Sequence, residues 1–154
     1  SYCQDNEVSW LDWSLLEKNR ELFEFFKFMI HFRKKHTVIR KKLPDAVCGL
    51  FSEHKERIRG AEYRERSTEL AVSFAGYDSE KGKDDIVYVA VNPYWEDTRI
   101  FLPDLQGRET WYLCVNTYGD GAGRYVYPEG EEVRIESEFV MKPRSVAVFT
   151  TKSY

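Results

Sequence analysis

The sequence has no long apolar run. Nothing in it approaches the ~18 consecutive apolar residues that a membrane helix needs, so no membrane span is expected. A secretory leader is not expected either, because the opening SYCQDNEVSW has neither a basic start nor an apolar core. Cysteine is scarce: Cys3, Cys48 and Cys114 are odd in number and widely spaced. That disfavours a disulfide framework and points to a reducing, cytoplasmic setting. Charge of one sign is also missing. Lys and Arg total 23 against 26 for Asp and Glu, a net charge of −3, which argues against a nucleic-acid binder. There is no internal repeat, no linker-like tract and no low-complexity segment. There is also no initiator Met, so the expectation is a processed chain or a piece of something longer.

What is present is core material. Of the 154 residues, 42% are hydrophobic and 16% aromatic, enough to bury a core and exclude wholesale disorder. Residues 1–13 read as an aromatic-rich loop. Ser14 and Glu17 form an S-x-x-E capping box, and Leu15–His36 follows without Gly or Pro. Arg33, Lys34 and Lys35 suit the negative end of a helix dipole. Thr37-Val38-Ile39 and then Pro44 mark the stop. Stepping about 100° per residue from Leu22 places Phe25, Phe26, Met29 and Phe32 near it, with Phe23 and Ile30 on one flank and Phe28 on the other. This arc of roughly 200° exceeds the stripe of about 100° that a surface helix buries. The helix therefore wants cover on two sides.

From about residue 57 the period becomes two. Strands are predicted at Arg57–Ala61, Glu69–Ala75, Ile86–Asn92, Thr98–Leu102, Thr110–Asn116, Glu132–Glu136 and Ser145–Thr151, with a shorter piece near Phe139–Lys142. Turn signals separate them. The predicted class is mainly β: an antiparallel β-sandwich of Greek-key type, preceded by a loop and one long helix. A boundary near 40–56 divides a helical part, 1–45, from a β part, 46–154.

Most chemistry-bearing patterns have a plainer reading. Tyr118–Arg124 is glycine-rich but lies between strands with no helix after it, so it reads as a hairpin loop and not a phosphate cradle. His31 and His36 point about 140° apart on a helix, His54 is alone, and no Cys pair has metal-ligand spacing, so no metal or cofactor is expected. No nucleophile signature occurs, and Cys48 and Cys114 read as small buried hydrophobes. The cluster Arg33, Lys34, Lys35, Arg40, Lys41, Lys42 reads as helix-end compensation plus a solvated loop. Asp84-Asp85 and Glu131-Glu132 point to alternate faces of an extended chain, so neither pair makes an acid/base dyad, and both read as solvated turn residues. In Thr110–Asn116, alternation puts Trp111, Leu113 and Val115 on one face, with Trp111 in the core. Tyr94 and Trp95, just after Pro93, are the better candidates for an exposed platform that stacks on a glucan.

The opening segment is different. Tyr2, Trp10 and Trp13 stand among Gln4, Asp5, Asn6 and Asp12. Aromatic faces stack on pyranose rings while amides and carboxylates bond hydroxyls, so sugar recognition competes with a simple Trp10/Trp13 packing staple at the helix start.

The string YCQDNEVSWLDW, followed by SLLEKNRELFEFFKFMIHFRKKH, resembles bacterial glycogen debranching enzymes and isoamylases, members of glycoside hydrolase family 13 with pullulanases as relatives. The resemblance implies that the opening block is the loop after the eighth strand of a catalytic (β/α)8 barrel. It further implies that the helix is the barrel's last and that a C-terminal sandwich follows. Tyr2, Gln4, Asp5 and Asn6 would then line a branched α-glucan (glycogen) cleft, with Trp10 and Trp13 packed beneath the loop. The three catalytic carboxylates of that family would lie upstream of Ser1, so this chain alone would be inactive and catalytic residues within it would be none. Retaining glycosidases need two carboxyl groups about 5–5.5 Å apart across the scissile bond. The helix would face the upstream barrel on one side and the sandwich on the other, and the chain on its own would self-associate through Leu22–Phe32. A free-standing glucan-binding sandwich is the rival reading. The residues do not choose between glycogen debranching, isoamylase and pullulanase specificity.

Overall fold

A computed structural model describes residues 3–40, 47–51, 70–105, 107 and 109–153. Tyr2, the basic residues Lys41 and Lys42, His54 and the predicted strand Arg57–Ala61 lie outside the described residues.

The helical part comes in two pieces, α1 (Leu15–Lys18) and α2 (Arg20–Lys35). Asn19 separates them. Its side-chain N–H donates to the Leu15 carbonyl at 2.9 Å, competing with the helix's own ladder. The predicted capping box does not form. Ser14 makes no side-chain cap; its N–H and hydroxyl both donate to Asp12 Oδ1, at 3.0 and 2.6 Å. Glu17 pairs instead with Arg20. The chain leaves α2 at His36, and Thr37–Ile39 form one turn of 3-10 helix.

Among the described residues eight strands follow: β1 (Val47–Phe51), β2 (Leu70–Asp78), β3 (Lys83–Asn92), β4 (Thr98–Phe101), β5 (Glu109–Asn116), β6 (Val133–Ile135), β7 (Glu138–Met141) and β8 (Ser145–Ser153). One sheet has six strands in the order β1-β2-β3-β8-β5-β6; β4 and β7 form the second. The pairings are antiparallel. β1 falls inside the stretch read as a boundary, where Cys48 and Gly49 hide any clear alternation. The Asp78 carboxylate accepts the N–H groups of Glu80 and Lys81, and Gly82 at φ 66 closes the β2–β3 turn.

The larger sheet is buried on both faces. Tyr88, Ala90, Trp111, Leu113, Ala147 and Phe149 pack against Ile100, Leu102 and Met141 on the side of β4 and β7. On the other face, Val87, Cys114, Val115 and Val148 meet Phe32 and Val38, with Phe25, Phe28 and Met29 at the margin. The molecule thus has three layers: helix, large sheet, small sheet. Trp111 is core, as predicted, and its ring N–H donates to the Pro103 carbonyl at 2.9 Å. Val115 is not on the Trp111 face. A register shift between Leu113 and Val115 inserts one residue, so Cys114 and Val115 both turn to the helix side.

The wide apolar arc of α2 divides. Phe25, Phe28, Met29 and Phe32 take the sheet. Leu22, Phe23, Phe26 and Ile30 stand 47–58% exposed.

Candidate functional site

Three places carry chemistry: the seam where α2 meets the sheet, the N-terminal loop, and the β3–β4 turn.

The seam is polar at one end. Alternation along β3 carries Asp85 to the helix face with Val87, while Asp84 stays exposed. Asp85 Oδ1 lies 2.6 Å from His36 Nδ1, and its Oδ2 accepts the Val38 N–H at 3.0 Å. Burial works to raise the Asp85 pKa, but the bonds from His36 and Val38 outweigh it and hold the carboxyl below its ordinary value. Asp78 ends the neighbouring strand β2, two positions beyond Gly76, the residue that pairs with Asp85. Hydrogen bonding to Thr37 and then Lys81 holds it at about 2. Lys81 also donates to the Lys35 carbonyl and to Thr37 Oγ1, tying the exit of α2 to the β2–β3 turn. Glu132 pairs with Lys152 at 2.8 Å and Glu131 with Arg124. Neither acidic pair is therefore simply solvated, because each contributes a member to a fixed contact. His36, Asp85, Lys81, Glu132 and Lys152 border a cleft of about 660 Å³ that reaches Cys114, whose Sγ lies 3.3 Å from Thr150 Oγ1. Cys114 is buried, and desolvation pushes its thiol up. Cys48 is exposed, contrary to its reading as a buried hydrophobe, because it sits on the edge strand β1. Among the described residues no group of three or more His, Cys, Asp or Glu forms a metal-ligand set.

The N-terminal loop is held by its own polar side chains. Asn6 Nδ2 donates to Gln4 Oε1 at 3.0 Å, and Asn6 Oδ1 accepts the Val8 N–H at 3.1 Å. Trp10 Nε1 donates to Asp5 Oδ1. Gln4, Asp5 and Asn6 are thus brought together. Trp10 and Trp13 are not packed beneath the loop: they stand 61% and 74% exposed, because no described element of this chain covers them. Val8, Leu11 and Leu15 are exposed too.

In the β3–β4 turn, Tyr94 and Trp95 stack on one another with ring centroids 4.1 Å apart and planes 26° apart. Trp95 is 65% exposed. Fully buried Asn92 holds the turn. Its amide donates to the carbonyls of Glu96 and Lys142, and its oxygen accepts the Tyr94 N–H. The glycine-rich segment behaves as a loop, with Gly119, Gly121 and Gly123 at positive φ and Asp120 accepting the N–H groups of Ala122 and Arg124.

A glycogen operon protein GlgX homolog of Mycobacterium tuberculosis is 32% identical to this chain over 123 residues, covering 76% of the chain and 16% of that protein. An isoamylase of Pseudomonas amyloderamosa is 24% identical over 134 residues, 85% of the chain and 17% of that protein. The chain is a relative of both. It spans about one sixth of the length of these curated relatives. No family model matches it. Among the described residues no helix is long and apolar enough to cross a membrane. Motif spacing does not reveal the His36–Asp85 seam. The signal was the i, i+2 run Asp85, Val87, Val89, which puts an acid in line with two core valines.

Proposed function

We propose that the chain is the C-terminal part of an α-1,6-glucan debranching enzyme, and that its role is structural and cleft-forming. Residues 1–45 are the last loop and helix of a catalytic barrel, and residues 46–154 are the sandwich that braces it. The exposed outer half of α2 carries this reading. Leu22, Phe26 and Ile30 recur every fourth residue on a helix whose other side already covers the sheet. A second packed body on that side is the simplest use of so much apolar surface. An upstream barrel, which the resemblance of the opening motif implies, would supply such a body.

On this reading Tyr2, Gln4, Asp5 and Asn6 border a branched-glucan cleft. The self-bonded loop presents amide and carboxylate groups suited to sugar hydroxyls. Hydrolysis in the longer protein proceeds by double displacement with carboxylates that this chain does not carry. The enzyme acts in the cytoplasm on glycogen or related glucans.

The test is release of reducing ends from glycogen limit dextrin. The longer protein is expected to hydrolyse branch points and the 154-residue chain to hydrolyse none. In the longer protein, Asn6→Ala is expected to lower kcat/KM about tenfold or more, since it loosens the loop that shapes the cleft. Hydrolysis by the chain alone, or full activity in Asn6→Ala, overturns the corresponding part of the reading.

A further inference from the structure

We infer that the Tyr94–Trp95 turn is a carbohydrate site that takes a single α-glucan chain. Its ligand class rests on the glucan reading above; its location does not. Trp95 presents a large apolar ring to solvent, yet the turn beneath it is fixed. Asn92 spends every polar group of its buried amide on this turn, bonding Glu96, Lys142 and Tyr94. The Arg144 N–H adds a bond to the Tyr94 carbonyl at 3.0 Å, from a residue held at φ 50. Tyr94 backs Trp95 in a near-parallel stack and takes up one of its faces. One rigid, pre-oriented indole face remains for a ligand, so little side-chain freedom is lost on binding.

The surroundings are polar. Lys142 and Asp97 pair at 2.6 Å beside the turn, both about half exposed. Donors and acceptors thus flank an apolar face, which matches a pyranose: C–H groups on the ring face, hydroxyls on its rim. The platform is one ring wide because the two aromatics are piled and not laid side by side. A flat β-1,4-linked ribbon needs several rings in file. A curved α-1,4-linked chain touches a surface through one or two glucoses, and one ring suffices.

The test uses the ¹⁵N-labelled 154-residue chain, whose four tryptophans each give one indole N–H resonance. Maltoheptaose is titrated in, with cellohexaose as the β-linked control. The Trp95 resonance is expected to shift saturably with maltoheptaose and stay put with cellohexaose. The dispersed resonance of core Trp111 stays fixed and reports that the fold is intact. Tyr94→Ala is expected to weaken binding about tenfold by removing the backing ring, and Trp95→Phe to retain part of it. An unmoved Trp95 resonance overturns the site, and an equal response to cellohexaose overturns its α-glucan preference. If only Trp10 and Trp13 respond, the platform falls and the cleft-loop reading stands. A Trp95 response in a protein whose longer form cleaves no branch points keeps this site and removes the debranching reading.

Discussion

Asp85 shows how one side chain joins two elements. It accepts from His36 and from the Val38 backbone, so the exit of α2 and the next turn both depend on it. Asp78 serves the same junction through Thr37 and Lys81. Both carboxyls sit below their ordinary pKa in the folded chain. A depressed folded pKa adds stability that is fully present above the unfolded value, near 4, and is lost as pH falls through the folded one. Urea midpoints are therefore expected to hold level from neutrality to about pH 5 and to drop between about pH 4 and 2. Asp85→Asn should flatten part of that drop. At neutral pH it should cost about 1–3 kcal/mol, the usual penalty for spoiling a buried, charge-assisted bond. An unchanged pH profile would show that the seam contributes nothing. This partnership was only half legible in the residues. Alternation separates Asp84 from Asp85, but it does not say that a histidine 49 positions earlier supplies the partner.

The helix was legible as a composition and illegible as a boundary. Its start, its break and its wide arc come from different physics. The S-x-x-E pattern predicts a cap, yet Asp12 takes the Ser14 hydroxyl first. Asn19 looks harmless in the middle of a helical run until its amide finds the Leu15 carbonyl. The arc is the part that periodicity reads well, since it marks two apolar sides and the structure fills one. Phe26 lies on the open side and Phe32 on the closed one. Phe26→Lys should leave stability within about 0.5 kcal/mol, whereas Phe32→Ala should cost about 3–5 kcal/mol as a core truncation. Light scattering completes the comparison. The 154-residue chain is expected to self-associate at high concentration and the Phe26→Lys variant to stay monomeric. A wild-type chain that is monomeric throughout would contradict this.

At the scale of the molecule, β3 and β8 form the wall shared by two cores. Strand positions were largely readable because period-two patterns survive burial on both faces when one face carries valines and the other aromatics. The bulge in β5 was not readable. Inserting one residue leaves the local composition unchanged while turning Val115 over. A shared wall also couples the layers. Helix signal by circular dichroism and the fluorescence of buried Trp111 are expected to be lost in one coincident transition on heating. An earlier loss of helix would mean that α2 rests on the sheet without being part of its cooperative unit.

The bulge has one more consequence. By bringing Val115 to the side where alternation already puts Cys114, it packs a second residue under α2, and the chain is left with two exposed thiols, Cys3 and Cys48, and a third buried at the foot of the cleft. A thiolate must form and be reached before it can react, and burial opposes both. Cys114 therefore reports on the seam between α2 and the sheet: a reagent reaches it through the cleft or as α2 lifts, and more slowly than it reaches Cys3 and Cys48.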